Sequence, residues 1–113
     1  MDFSSDTSAP AHPAVLDAMQ RANSGMEGSY GGDSVTAHLR ELVSDLFETR
    51  VAVLPVGSGT AANALALSML CGPTEAVACH REAHIERDER GAPEFYTQGG
   101  KLHLLDGDHG RID

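Results

Sequence analysis

Lysine is almost absent from this chain of 113 residues, occurring once, at Lys101. Eight lysines and arginines together face 17 acidic residues, which gives a formal charge of -9 at pH 7. Because like charges repel, duplex nucleic acid and anionic membrane surfaces are poor partners for this chain. Cysteine is also scarce. Cys71 and Cys79 are too few for a disulfide scaffold, so we expect reduced thiols and a cytoplasmic location.

Long hydrophobic runs are lacking as well. The start, Met1-Asp2-Phe3-Ser4, has neither the basic segment nor the apolar core of a signal peptide. The longest apolar-rich helix that the sequence predicts, over residues 61–71, is too short to cross a bilayer. A chain of this length favours one compact domain, which buries about two-thirds of the surface that the unfolded chain exposes.

The central stretch, residues 51–71, carries the clearest pattern. Its first part, VAVLPV at 51–56, is short, apolar and rich in β-branched residues, which predicts a buried strand. A glycine turn, GSGT, follows at 57–60, and AANALALSMLC then predicts a helix. The stretch therefore reads as strand, turn and helix.

A helix that begins directly after such a turn directs unpaired N–H groups and its positive dipole end into the turn. Gly57 and Gly59 would permit a positive φ and a close approach of backbone to a ligand. The hydroxyls of Ser58 and Thr60 could donate to phosphate oxygens. The turn is thus either a phosphate site or simply a flexible helix start. A P-loop is excluded because no lysine follows, and a dinucleotide fingerprint is excluded because a third glycine is missing.

Other elements follow from periodicity and turn residues. Pro13 opens a short helix that runs to about Asn23, and Asp33 or Ser34 caps a second helix that runs to Leu46. Residues 75–79 and 101–105 read as short strands. A helix between the strands at 51–56 and 75–79 would make a right-handed βαβ unit. The turn at 57–60 and the segment after residue 79 would then share one edge of the sheet.

The segment after Cys79 contains two histidines, His80 and His84. A metal site is disfavoured because Arg81 stands where a zincin requires glutamate. The main alternative is an exposed helix with charge pairs four residues apart, such as Glu86 with Arg90. A third alternative is that one histidine faces the phosphate turn, for stacking or for acid-base chemistry.

Tyr30 lies in a glycine-rich loop, residues 28–34. Aromatic rings combine a large apolar area with a polar tip. The ring of Tyr30 is therefore either an anchor packed on its own domain or a group presented to a site.

Taken in order, the motifs resemble the low-specificity threonine aldolases of the β-eliminating lyase group, and in detail their phenylserine aldolase branch. The resemblance extends from about Phe3 to the last residue. The stretches that carry it are Ser5-Asp6-Thr7, Tyr30-Gly31 with Asp33, SGTAANAL at 58–65, Cys79-His80 with His84, and GAPEF at 91–95.

The resemblance implies a type I pyridoxal-phosphate fold, an α/β enzyme with a mostly parallel sheet flanked by helices, assembled as a homodimer or homotetramer. Residues 1–113 would form an N-terminal arm and the first part of the large, cofactor-binding domain. The site residues that it implies are the following. Gly59 and Thr60, with Ser58 beside them, hold the cofactor phosphate; His84 stacks on the pyridine ring and is a candidate catalytic base; Ser5 binds the substrate carboxylate; Tyr30 approaches the pocket of its own or a neighbouring subunit; and Glu89 is the acid behind the histidine.

The same resemblance implies a lysine that forms a Schiff base with the cofactor, and Lys101 does not match it. We therefore expect that this chain is roughly the first third of an aldolase and is inactive by itself. The leading hypothesis is that the whole protein cleaves a β-hydroxy-α-amino acid, of threonine or phenylserine type, to glycine and an aldehyde. The alternatives are another type I pyridoxal-phosphate lyase, a transaminase-like enzyme, or a non-catalytic piece that only folds or oligomerises.

Overall fold

The computed structural model describes residues 8–112, so Ser5 lies outside the described residues. The chain divides into two compact units, Met1–Val53 and Leu54–Asp113. Within the described part, no helix is both long and apolar enough to cross a membrane. The helices and strands, in chain order, are α1 (Pro13–Ala22), α2 (Ser34–Leu46), α3 (Gly59–Leu70), β1 (Ala76–His80), α4 (His84–Arg87), α5 (Ala92–Tyr96) and β2 (Lys101–Leu105), followed by a 3-10 turn (Asp108–Gly110).

The first unit contains α1 and α2, at the positions that the sequence predicts. Proline opens α1, where the missing N–H costs no intrahelical hydrogen bond. Asp33 caps α2, and its carboxylate accepts hydrogen bonds from the backbone N–H and the hydroxyl of Thr36, both at 2.8 Å. These bonds lower the pKa of Asp33. Both helix predictions are confirmed.

The glycine-rich loop before α2 holds Tyr30 in the left-handed region, with φ at 56°. Gly28 comes so close to Gly32 that an added Cβ would lie 2.7 Å from its carbonyl oxygen. The ring of Tyr30 is fully exposed, with 105% relative accessibility. The interpretation of Tyr30 as a packed anchor is therefore wrong for the described part of the chain.

The second unit is built on α3 and a parallel pair of strands. β1 pairs with β2 from Ala76 opposite Lys101 to His80 opposite Leu105. The crossover between them passes through the short helices α4 and α5, and α5 packs against α3. The predictions of α3, β1 and β2 are confirmed, as is an α/β arrangement with a parallel sheet.

The predicted strand at 51–56 is wrong. This stretch has no regular secondary structure, because the only sheet among the described residues is the β1–β2 pair and offers it no partner. Leu54, expected to be buried, is 78% exposed. The predicted βαβ unit through α3 is also wrong, since the observed parallel crossover runs through α4 and α5.

The predicted exposed helix over residues 80–90 reduces to the single turn of α4. Its expected pair of Glu86 with Arg90 is replaced by a contact of 3.4 Å between Arg87 Nε and Glu82 Oε2. Residues 92–96 form α5, which begins after Gly91 in the left-handed conformation, with φ at 77°. A proline at the start of α5 favours this helical turn.

The core of the second unit is small. Ala64 of α3 is 1% exposed, Cys79 of β1 is 6% exposed, and Pro93 of α5 is fully buried. Thr97, also buried, donates its hydroxyl to the carbonyl of Pro93 at 2.8 Å. This core fixes α3 relative to the segment that follows β1, and that segment carries His84.

Candidate functional site

The start of α3 leaves two backbone N–H groups free. Ser58 is the N-cap: its Oγ accepts a hydrogen bond from the N–H of Ala61 at 3.2 Å, and its carbonyl accepts from the N–H of Ala62 at 3.1 Å. Among the described residues, the N–H groups of Gly59 and Thr60 have no protein acceptor. Because the hydroxyl hydrogen of Ser58 is not used by the cap, it can still be donated. Three donors at a positive helix end suit an anion.

The turn is open on the side where a ligand would approach. A Cβ placed on Gly57 or on Gly59 would meet no atom within 4 Å. Neither glycine has a positive φ, so the turn does not use the left-handed conformation that glycine permits. What their missing side chains provide is space, and a phosphate can therefore reach the backbone of the turn.

His84, the first residue of α4, is held by a buried carboxylate. Its Nδ1 lies 2.9 Å from Oε1 of Glu89. The side chain of Glu89 is fully buried, whereas that of His84 is 66% exposed. Where Glu89 is ionised, its oxygens only accept hydrogen bonds, and Nδ1 then carries the shared hydrogen. The exposed ring therefore has a fixed edge and presents Nε2 outward.

Asn63 completes this group from α3. Its Nδ2 donates to the same Oε1 of Glu89 at 2.7 Å. Asn63 follows Thr60 by three residues, so the two lie on one face of the helix. Glu89 Oε1 thus links the helix that begins at the open turn to the ring of His84. The other oxygen, Oε2, is buried and has no hydrogen-bond partner among the described residues.

The other histidine, His80, is used within the fold. Its Nδ1 accepts from the N–H of Glu82 at 3.0 Å, and its Nε2 lies 3.0 Å from the carbonyl of Gly107. Both contacts are satisfied by the neutral ring with the hydrogen on Nε2. His80 is 8% exposed and ends β1, so it shares no helical face with His84. Within residues 8–112, no group of three or more histidine, cysteine or acidic side chains could hold a metal ion.

The structure connects part of the predicted site by hydrogen bonds. Ser58, Gly59 and Thr60 lie at the start of α3, and Glu89 connects that helix to His84. Tyr30 belongs to the other compact unit. Sequence reasoning missed Asn63, although one signal was available: it is the only amide side chain in the otherwise apolar or small-residue helix GTAANALALSML.

These features fit a ring-bearing phosphate ester such as pyridoxal phosphate. Free N–H groups at an open helix start suit the phosphate, and an exposed imidazole held at one edge suits a flat ring. The residues that could hold such a group are Ser58, Gly59, Thr60 and His84.

Comparison with known proteins agrees with this description. The family model described as beta-eliminating lyase matches residues 2–113. Low specificity L-threonine aldolases from a Pseudomonas species and from Pseudomonas aeruginosa are each 43% identical over 110 residues, which is 97% of this chain. The structure of a threonine aldolase from Leishmania major superimposes with a TM-score of 0.85 at 33% identity and also covers 97% of this chain.

This chain spans about a third of the length of these relatives, 32% in each case. Beta-eliminating lyases and threonine aldolases depend on pyridoxal phosphate, and threonine aldolases are carbon-carbon lyases. Since the family model covers almost the whole chain, the assignment does not depend on any single motif. The chain belongs to the beta-eliminating lyase family.

Proposed function

We propose that the full-length protein is a pyridoxal-phosphate-dependent aldolase that cleaves a β-hydroxy-α-amino acid to glycine and an aldehyde. The single observation that carries this proposal is that an open, anion-ready helix start and a glutamate-held histidine occur in one compact unit, joined through Asn63 and Glu89. The names of the relatives support threonine as a substrate. Phenylserine is the second substrate that we propose.

The phosphate contacts follow from the free donors. The N–H groups of Gly59 and Thr60 would donate to phosphate oxygens, and the hydroxyls of Ser58 and Thr60 would add two further donors. The dipole of α3 stabilises the negative charge. No basic side chain is needed for these contacts.

His84 would cover one face of the cofactor ring. When bound, pyridoxal phosphate supplies an electron sink for the pair released from the Cα–Cβ bond. His84 limits the access of water to that face, and its Nε2 can accept the proton of the substrate β-hydroxyl. Glu89 holds Nδ1, so the nitrogen that faces outward is the one able to act as a base.

These two roles of His84 can be separated. His84→Phe keeps a flat ring but has no nitrogen, whereas His84→Asn keeps a polar group but has no ring. If stacking dominates, His84→Phe retains cofactor affinity and His84→Asn loses it. If the base role is needed as well, His84→Phe binds the cofactor and has a greatly reduced kcat. Equal cofactor affinity in both variants would contradict the stacking role.

For the substrate we propose that Ser5 binds the carboxylate and that Tyr30 approaches the pocket. The full exposure of the Tyr30 ring supports a role outside its own core. Tyr30→Phe and Tyr30→Ala should raise KM for threonine without altering the melting temperature. A lower melting temperature with unchanged KM would contradict this role.

The Schiff-base lysine is proposed to lie beyond these 113 residues. Accordingly, we propose that residues 1–113 are an N-terminal arm and the first part of the cofactor-binding large domain, inactive in isolation. Lys101 begins β2 and pairs with Ala76 by backbone, which is a structural position. Borohydride reduction of the full-length protein with its cofactor should leave a stable adduct in the wild type and in Lys101→Arg alike. An adduct on Lys101 itself would contradict this proposal.

The main test concerns Thr60. Thr60→Ala removes a hydrogen bond to a charged group and should weaken cofactor binding by about 1.5 to 3 kcal/mol, or about 10- to 150-fold in Kd. Thr60→Ser keeps the hydroxyl and is the matched control. Affinity is measured by titrating the cofactor-free full-length protein and following absorbance. Unchanged cofactor affinity in Thr60→Ala would contradict the proposal that Thr60 binds the cofactor phosphate.

A second candidate function follows from the family description itself. Beta-elimination releases a group from Cβ and yields a keto acid and ammonia, whereas aldol cleavage breaks Cα–Cβ and yields glycine. Incubating the protein with threonine, phenylserine and serine, and measuring glycine and keto acid, separates the two reactions. Formation of keto acid without glycine would favour beta-elimination over aldol cleavage.

We also propose a homodimer or homotetramer in the cytoplasm. An open apolar groove of about 210 Å³ between residues 54–56 and α3 supports association. Its lining residues are Leu54, Val56, Ala62, Leu65, Ala66 and Met69. The free thiols of Cys71 and Cys79 suit a reducing compartment. Light scattering and cell fractionation test these two points, and a monomer or a secreted protein would contradict them.

A further inference from the structure

Glu89 is an unusual buried acid, because one of its oxygens receives every hydrogen bond that the carboxylate makes. Oε1 lies 2.7 Å from Asn63 Nδ2 and 2.9 Å from His84 Nδ1, whereas Oε2 has no partner among the described residues. The acid is 3% exposed. A buried carboxylate with so few donors depends strongly on each of them.

We propose that Asn63 is the positioning residue of the site: its amide fixes Glu89, and Glu89 in turn fixes the ring edge and the tautomer of His84. This inference rests on the proposed function, and it adds a residue to which neither the family resemblance nor the comparisons assign a role. The side-chain hydrogen bond that the structure gives Asn63 goes to Glu89, so its effect on His84 passes through that carboxylate.

The geometry supports a positioning role over a purely structural one. Asn63 belongs to the face of α3 that begins at Thr60, and its partner lies 26 residues away along the chain. Thus the helix that would hold the phosphate also sets the position of the carboxylate. His84 is a residue of the four-residue helix α4, which has no side-chain cap. A short helix of this kind needs an outside contact to keep its first side chain in place.

The consequence concerns the two nitrogens of His84. With Glu89 held by Asn63, the hydrogen stays on Nδ1 and Nε2 is free to accept a proton. Without Asn63, the carboxylate loses one of its two donors and can rotate toward the unpartnered side. His84 would then sample the Nε2–H tautomer, in which the outward nitrogen cannot act as a base.

The first test is spectroscopic and needs no cofactor. Nitrogen-15 histidine spectra of the cofactor-free full-length protein, recorded at a pH where the ring is neutral, report the tautomer of His84. The wild type should show the Nδ1–H form. Asn63→Ala should shift the population toward Nε2–H. Ser68→Ala, which removes a side chain bonded only to the Leu65 carbonyl of the same helix, should match the wild type.

The second test is kinetic. In metal sites, residues that orient a ligating histidine are worth about 10- to 100-fold, and we expect the same scale here. Asn63→Ala should lower kcat for threonine cleavage by about tenfold or more, with KM and cofactor Kd close to the wild type. Asn63→Gln, which keeps the amide donor on a longer side chain, should recover part of the loss.

Three results would overturn the proposal. The first is an Nε2–H tautomer in the wild type, which can be seen even if Asn63→Ala does not fold. The second is an unchanged tautomer in a folded Asn63→Ala protein. The third is an equal loss of cofactor affinity and kcat, which would indicate a damaged α3. If the wild type does not cleave threonine but Asn63→Ala still shifts the tautomer of His84, the proposed function is refuted and the positioning role of Asn63 stands.

Discussion

Arg81 and Asp106 form an ion pair at the point where β1 and β2 end. Each is the first residue after its strand, and the backbone N–H of Arg81 donates to the carbonyl of Leu105 at 3.1 Å. Nη2 of Arg81 lies 3.0 Å from Oδ2 of Asp106, and Nε contacts Oδ1. The hydrogen bonds from Arg81 hold the pKa of Asp106 below its ordinary value, and Asp106 raises the pKa of Arg81.

This pair predicts a pH dependence of stability. A lowered folded-state pKa means that the stabilising effect is present above the ordinary aspartate pKa of 3.8 and is lost as pH falls through the lowered pKa. Because both side chains are exposed, the effect should be small and weakened by salt. Thermal melts of the wild type and Asp106→Asn should differ at about pH 7 and converge toward about pH 3. A difference that is constant across this range would contradict the prediction.

Cys79 predicts a difference in thiol reactivity. Burial raises the pKa of Cys79, and the charges of Glu86 and Glu94 raise it further, so the neutral thiol is favoured in the fold. The thiolate is the reactive form. In the native protein, Cys79 should react with a disulfide reagent more slowly than the half-buried Cys71. Single-thiol variants, Cys71→Ser and Cys79→Ser, assign each rate, and equal native rates would contradict the prediction.

The same shift has a consequence for stability. Since the folded-state pKa of Cys79 is raised, its contribution is fully present below the ordinary thiol pKa of 9.0 and is lost as pH rises through the raised value. Cys79→Ala removes this alkaline dependence. The difference in melting temperature between the wild type and Cys79→Ala should therefore change between neutral and alkaline pH. A difference that is the same at both pH values would contradict the raised pKa of Cys79.

Local patterns predicted most of the helices. The apolar spacing of α2 and its cap at Asp33, and the proline that opens α1, are encoded within a few residues, so the sequence alone was sufficient. The prediction of a strand at 51–56 is wrong because it depends on more than local sequence. Its composition suits a strand, but a strand also needs a partner backbone, and no local pattern contains that information.

The sequence likewise predicts one part of the candidate site and not the other. The open turn at residues 57–60 could be recognised from adjacent glycines and hydroxyls. The contact of Asn63 with Glu89 joins residues 26 apart in sequence, and it depends on how α3 packs against the segment after β1. A single hydrogen bond over that separation leaves no periodicity, so the sequence alone could not reveal the contact of Asn63 with Glu89.

Gly100 predicts a steric limit in the core of the second unit. An added Cβ would lie 2.7 Å from Thr97 Oγ1 and 3.1 Å from the carbonyl oxygen of Gly72. Gly100→Ala should therefore lower the free energy of unfolding by about 1 to 3 kcal/mol, the usual cost of overpacking. Gly57→Ala adds the same methyl group in open space and should leave stability nearly unchanged. Equal stability of the two variants in urea titrations would contradict this view of the core.

Two substitutions of Ser58 should rank in opposite order for stability and for cofactor affinity. Ser58→Ala removes the acceptor for the N–H of Ala61, and loss of such a cap costs about 1 kcal/mol. Ser58→Asp keeps a cap acceptor and places a negative charge at the positive helix end, so stability should be retained. That charge would repel a phosphate. Ser58→Asp should therefore bind pyridoxal phosphate more weakly than Ser58→Ala, although it is the more stable of the two proteins.

A reversed order of affinity would mean that no anion occupies the turn. Urea titration supplies the free energy of unfolding, and absorbance titration supplies the Kd. Because the two quantities are expected to move in opposite directions, a general loss of folding cannot imitate the result.

Substitution of Gly59 distinguishes a phosphate site from a helix start that binds no ligand. Its φ is not positive, and an added Cβ would meet no protein atom within 4 Å. Alanine is the better helix former, so Gly59→Ala should leave the free energy of unfolding unchanged or raise it by up to about 1 kcal/mol. The methyl group would occupy the space through which a phosphate approaches the backbone N–H groups. Affinity for pyridoxal phosphate should therefore fall while stability does not. Gly72→Ala, whose Cβ would lie 3.5 Å from Glu75 Oε2 outside the turn, is the matched control, and Gly59→Ala with wild-type affinity would reduce the turn to a helix start.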